Sequence, residues 1–76
     1  MRNKRIIAKR IEQLCKEKEL SYYMLSYRSA VPITTIMNII NCRSKNPGVY
    51  TILKLCEGFK ISASDFFDIE EFQIND

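Results

Sequence analysis

One proline does most to limit what this chain can fold into. Pro32 lies inside the otherwise helical stretch "LSYYMLSYRSAVPITTIMNIIN" and divides it in two. Its ring removes a backbone donor and crowds the preceding turn, so no helix runs through it. Its fixed φ nevertheless suits the first turn of a new helix. The stretch therefore reads as two short helices joined by Ala30-Val31-Pro32. Ser21 is the candidate N-cap of the first, whose body is "YYMLSYRS". The second runs from about Pro32 to Ile40 or Asn41. On it Ile36, Ile39 and Ile40 point to a core, while Ile33, Thr34, Met37 and Asn38 belong largely to the opposite face. Leu25 and the small Ser26 face inward on the first helix, and Ser26 stands where the two axes would cross. Two helices pressed together across a short turn make a helix-turn-helix, and its second helix can enter a DNA major groove.

The flanks read in the same way. Ile7, Ile11, Leu14 and Cys15 recur at three- and four-residue spacing and predict a helix over 4–18, with Lys9, Glu12, Lys16 and Glu19 on the wet side. "NCRSKNPG" has no periodicity and is a loop. A fourth helix over 49–59 turns Ile52, Leu55, Cys56 and Phe59 inward. Ser62-x-x-Asp65 resembles a capping box for a fifth, short turn, after which Phe66, Phe67 and Ile69 finish the core. The expectation is an all-α, compact five-helix domain over residues 1–67 and an acidic tail over 68–76, packed back or placed at a dimer contact.

Composition narrows the function classes. Seventy-six residues allow one domain, and 46% apolar content argues against disorder. No run approaches the ~20 apolar residues of a membrane span, and the basic start lacks the apolar run and cleavage site of a signal peptide, so a cytoplasmic protein without membrane contact is expected. Cys15, Cys42 and Cys56 form no tight pair and read as reduced thiols. With no histidine, a zinc site is not expected. No nucleophile stands at a useful spacing from a base, so an enzyme is not expected either, and no cofactor or small-molecule effector is implied. The charge is uneven. Residues 1–60 carry all twelve Lys and Arg against four Glu, a net +8, whereas residues 61–76 carry five acids and no base, a net −5. A body at +8 suits a polyanion.

The stretch "LSYYMLSYRSAVPITTIMNIINCRSKNP" resembles the lambda Cro/repressor class of helix-turn-helix proteins, the xenobiotic-response-element-like family. Leu20 and Ser21 open the motif, Leu25 and Ser26 hold its usual leucine and alanine positions, Ile36 is the core residue of the reading helix and Asn41 closes it. "RSKNP" is similar to the family's backbone-contacting loop, and "TILKLCEGFKISASDFF" to its last two helices. The likeness covers roughly residues 5–67 and implies a lambda-repressor-like fold that binds double-stranded DNA. Two departures stand out. Ala30 and Cys42 replace glycines, each at a cost of about 1 kcal/mol if the site needs a positive φ.

The resemblance makes Ile33, Thr34, Met37 and Asn38 the candidate base contacts. Isoleucine packs on a thymine methyl or else meets a second subunit. Threonine donates to a base edge or phosphate, asparagine can bond adenine bidentately, and Met37 can touch sugar or methyl. Tyr22, Tyr23, Arg10, Arg43 and Lys45 are the candidate phosphate contacts, which add affinity and salt dependence without sequence information. Phe59, Phe67, Phe72 and Ile74 are candidates for a homodimer contact, one that forms weakly off DNA. The function expected is a sequence-specific transcriptional regulator, a repressor acting by operator occupancy. The alternatives are a protein-interaction or antitoxin-type module, supported by the acidic aromatic tail, and a nonspecific DNA binder, supported by the +8 body.

Overall fold

The periodicities place the helices well. The computed structural model describes residues 5–43 and 47–69, which form five helices and no strand. α1 (Arg5–Glu17) buries Ala8, Ile11, Leu14 and Cys15. α2 (Tyr22–Ser29) starts at Ser21, whose hydroxyl accepts from the Met24 N–H at 3.1 Å. α3 (Ile33–Ile40) follows Pro32 directly and buries Ile36 and Ile39. α4 (Val49–Phe59) buries Ile52, Leu55, Cys56 and Phe59. α5 (Ala63–Phe66) is capped by Ser62, which accepts from the Asp65 N–H at 3.0 Å. The fully buried centre is Ile11, Leu25, Ile36, Leu55, Phe59 and Phe66, drawn from all five helices. No helix among the described residues is long and apolar enough to cross a membrane.

α2 and α4 meet through small residues. A Cβ added at Gly58 would lie 2.8 Å from the Ser29 Cβ and 3.1 Å from the Ser29 backbone, so the close approach of the two helices depends on glycine there. Ser26 has a second task. Its hydroxyl donates to the Val31 carbonyl at 2.7 Å, and the Ser29 hydroxyl accepts from the Val31 N–H at 3.3 Å. Two serines thus close the turn that holds α2 against α3.

The turns carry strain at four places. Glu19, Ala30, Cys42 and Lys60, each just past a helix end, have φ between 54° and 61°. At Ala30 and Cys42 this is the backbone that glycine would adopt more easily. After three of these residues the chain returns to the core with an apolar side chain: Leu20, Val31 and Ile61. After Cys42 it presents Arg43, which is exposed. The backbone there is an ordinary helix stop, with the Arg43 N–H donating to the Asn38 carbonyl at 2.8 Å and the Cys42 N–H to the Ile39 carbonyl at 3.0 Å. A cation therefore occupies the position that holds an apolar anchor at the other three ends.

Three expectations need correction. Arg10 does not face outward, being only 8% exposed. Its Nε donates to the Phe66 carbonyl and its Nη2 to the Asp65 carbonyl, both at 2.7 Å, and its Nη1 donates to Gln13 Oε1 at 3.0 Å. The guanidinium ties α1 to the carbonyl end of α5, where a cation is favoured. Phe59 is 1% exposed and fills the core, so it is not available to a second subunit. Phe67 does not complete the core. It is 42% exposed, with its ring edge-on to Phe66 at a centroid distance of 5.0 Å. Phe72 and Ile74 lie outside the described residues, as does most of the 68–76 tail.

Candidate nucleic-acid interface

α3 has eight residues, which makes it about 12 Å long, close to the width of a B-DNA major groove. Its burial alternates as the helix turns. Ile36 and Ile39 are buried, whereas Thr34, Asn38 and Asn41 are exposed. These three residues are spaced by four and then three positions, so they share one stripe on the outer side of the helix. Thr34 and Asn38 stand where the sequence reading placed them. Asn41 joins them as a further polar group on the same stripe. Its place at the helix end makes Asn41 read as a terminator in sequence, although its spacing from Thr34 and Asn38 carries the signal.

Ile33 and Met37 behave differently. Both are half-buried and line a groove of about 580 Å³ with Cys15, Leu20, Ser21, Tyr22 and Tyr23, while Glu12 and Lys16 complete its wall. The groove runs between the end of α1, the start of α2 and the flank of α3. Ile33 and Met37 thus form its apolar lip, one step around the helix from Thr34 and Asn38.

The start of α2 borders the same face. The Tyr22 ring is half-buried and packs on the core, while Tyr23 is 75% exposed. Burial, reinforced by Glu12 and Cys15 nearby, holds the Tyr22 phenol above its ordinary pKa, so it remains a hydrogen-bond donor in neutral solution. The first N–H groups of a helix have no intrahelical partner. No acid stands in the first turn of α2, α3 or α4, although Glu12 of α1 lies close to Tyr22. α5 differs, with Asp65 in its first turn.

Arg43 ends α3 as an exposed cation beside this face. Lys45 falls outside the described residues. Arg10 lies under α5 rather than on the face, as shown above. Of the nine candidate DNA contacts, the structure gathers Tyr22, Tyr23, Ile33, Thr34, Met37, Asn38 and Arg43 around α3 and the start of α2. Lys16, expected only as a wet-side residue, joins them as an exposed cation in the groove wall. The described residues include no group of three or more His, Cys, Asp or Glu arranged to hold a metal ion.

A supported helix with an exposed polar stripe, next to cations and an acid-free helix start, defines a helix-turn-helix DNA-binding domain. The comparison with protein families agrees. The model for the Cro/C1-type HTH DNA-binding domain matches residues 10–71, and the chain belongs to that family. No curated protein and no solved structure matches the chain.

Proposed function

We propose that the protein is a sequence-specific transcriptional regulator that binds double-stranded DNA as a homodimer and represses by occupying its operator. The observation that carries this reading is the exposed stripe Thr34, Asn38 and Asn41 on a helix whose other side is locked into the core. Asparagine reads adenine through N6 and N7 and threonine bonds a base edge or phosphate, so the stripe suits an A·T-containing half-site. Arg43, Lys45, Tyr22 and Tyr23 hold the duplex by its phosphates.

Repression is the simplest consequence, because a domain on an operator excludes polymerase without further machinery. Two copies would place their reading helices in successive major grooves, about 34 Å apart. Among the expected dimer contacts, Phe67 offers an exposed apolar ring. Phe72 and Ile74 remain part of the same proposal.

Selection of bound duplexes from a random pool tests the reading. A regulator enriches a two-fold symmetric site and binds it at least ~10³-fold more tightly than random duplex. Equal affinity for every duplex would leave only a nonspecific binder. No duplex binding, with a protein co-purifying instead, would favour an interaction module.

A further inference from the structure

Nothing among the described residues fills the groove between α1, α2 and α3. It measures about 580 Å³, a size that takes up several side chains, and Cys15, Leu20, Tyr22, Ile33 and Met37 make its walls apolar. Water against such walls is costly, so the groove suits an apolar occupant. One route leads into it along α1. Lys9, Gln13 and Lys16, at four- and three-residue spacing, form an exposed row on that helix, with Glu12 and Glu17 to its sides. Lys16, at the far end of the row, stands in the groove wall. α5 delivers the chain to the near end. Arg10 donates to the Phe66 carbonyl at 2.7 Å and to Gln13 at 3.0 Å, so residue 66 lies against α1 about 9 Å of helix before Lys16. An extended chain covers about 3.3 Å per residue, which lets Phe72 and Ile74 reach roughly 20 Å and 26 Å from residue 66, enough to follow the row into the groove.

The segment after α5 has the matching chemistry. Residues 70–76 read Glu-Glu-Phe-Gln-Ile-Asn-Asp, with three acids and no base, whereas residues 1–60 carry a net +8. Phe72 and Ile74 are two apart, so an extended segment turns both to one side and Glu71 and Gln73 to the other. We propose that residues 70–76 dock in the groove of their own subunit, with Phe72 and Ile74 on Tyr22, Ile33 and Met37 and with Glu70 and Glu71 beside Lys9 and Lys16, and that they compete there with DNA. The docked segment covers the flank of α3 and the start of α2 and sets carboxylates where phosphates would lie. A duplex must displace it. Phe72 and Ile74 are then free to meet a second subunit, so the dimer contact forms weakly off DNA. The competition rests on the DNA-reading assignment of α3, whereas the docking does not.

A full chain carrying both Phe72→Ser and Ile74→Ser loses the apolar pair and keeps every charge, so plain repulsion between the acids and DNA is unchanged. Amide spectra of the two proteins without DNA should differ, outside residues 70–76, at Cys15, Leu20, Tyr22, Ile33 and Met37, with Leu55 and Phe59 unmoved. Affinity for a random duplex at fixed salt, measured by fluorescence anisotropy, should rise in the variant. A segment docked in about nine-tenths of the molecules lowers apparent affinity about tenfold, and the variant regains that factor. Groove amides that stay in place, or changes spread through the core to Leu55 and Phe59, overturn the docking. Groove changes with equal or weaker duplex affinity overturn the competition, and weaker affinity is what a dimer contact alone would give. If neither protein binds duplex, the DNA reading of α3 falls and the competition with it, while the amide spectra still decide the docking.

Discussion

Arginines 10 and 43 are both cations within reach of a helix-turn-helix in sequence, and the fold gives them opposite tasks. Arg10 holds two carbonyls of α5 at 2.7 Å, one of these bonds being buried, whereas Arg43 is exposed at the end of α3. Arg10→Met keeps most of the aliphatic stem and removes the guanidinium. Each hydrogen bond from a charged donor contributes about 1.5–3 kcal/mol, less where it is part-exposed, so loss of the guanidinium should cost at least about 2 kcal/mol. For a domain of this size that lowers Tm by roughly 8–16 °C. The slope of log K against log salt should not change, because no phosphate contact is lost. Arg43→Ala should do the reverse. Its stability should stay within the range of ordinary surface changes, about 0.5 kcal/mol, while the salt slope falls by about 0.9 per subunit, about 1.8 for the proposed dimer, and all duplexes weaken together. Thermal melts by circular dichroism give the first quantity, and anisotropy titrations from low to moderate salt, run well below the lowered Tm, give the second. An Arg10→Met protein with unchanged Tm and a reduced salt slope would refute the assignment of Arg10 to the α5 clamp.

Further outcomes follow from the turns, the helix crossing and the thiols. Ala30→Gly and Cys42→Gly should each raise stability by up to about 1 kcal/mol, since both residues hold a positive φ; chemical denaturation measures this, and a loss of stability in both would contradict the strain argument. Gly58→Ala should destabilise by about 1–3 kcal/mol, because the new methyl meets Ser29 Cβ at 2.8 Å and its backbone at 3.1 Å; a neutral melt would show that α2 and α4 can part freely. Burial raises the Cys15 and Cys56 thiols above 9.0, so the unfolded chain releases these protons first. Stability should therefore be level from neutral pH to about 9 and fall as pH rises towards the folded values, and Cys56→Ala should lessen the fall; a Tm that is unchanged or rises from pH 8 to 10 would refute this.

Local signals made the helices legible. Ser21 and Ser62 cap as their positions imply, Pro32 ends one helix and precedes the next, and apolar spacing identifies Ile11, Leu25, Ile36 and Leu55 as core. Arg10 was not legible because its partners are carbonyls 55 and 56 residues away, and a charged side chain on a helix ordinarily points to water. Phe67 reads like Phe66 in composition, but α5 ends between them and turns only one inward. The stripe of Thr34 and Asn38 followed from helix phase. The separation of Ile33 and Met37 into a groove lip did not, since the groove's other walls come from α1 and α2. Gly58 gave no sign of its role, because its partner Ser29 is brought near only by the packing of α2 on α4.

Amide chemical shifts of the labelled protein, followed while its selected duplex is added, ask where DNA lies on the fold. The largest changes are expected at Thr34, Asn38, Asn41 and Arg43, with Tyr22 and Tyr23 next and α5 little affected. Changes concentrated on α5 and the outer side of α4, with α3 silent, would show that the duplex does not lie on α3.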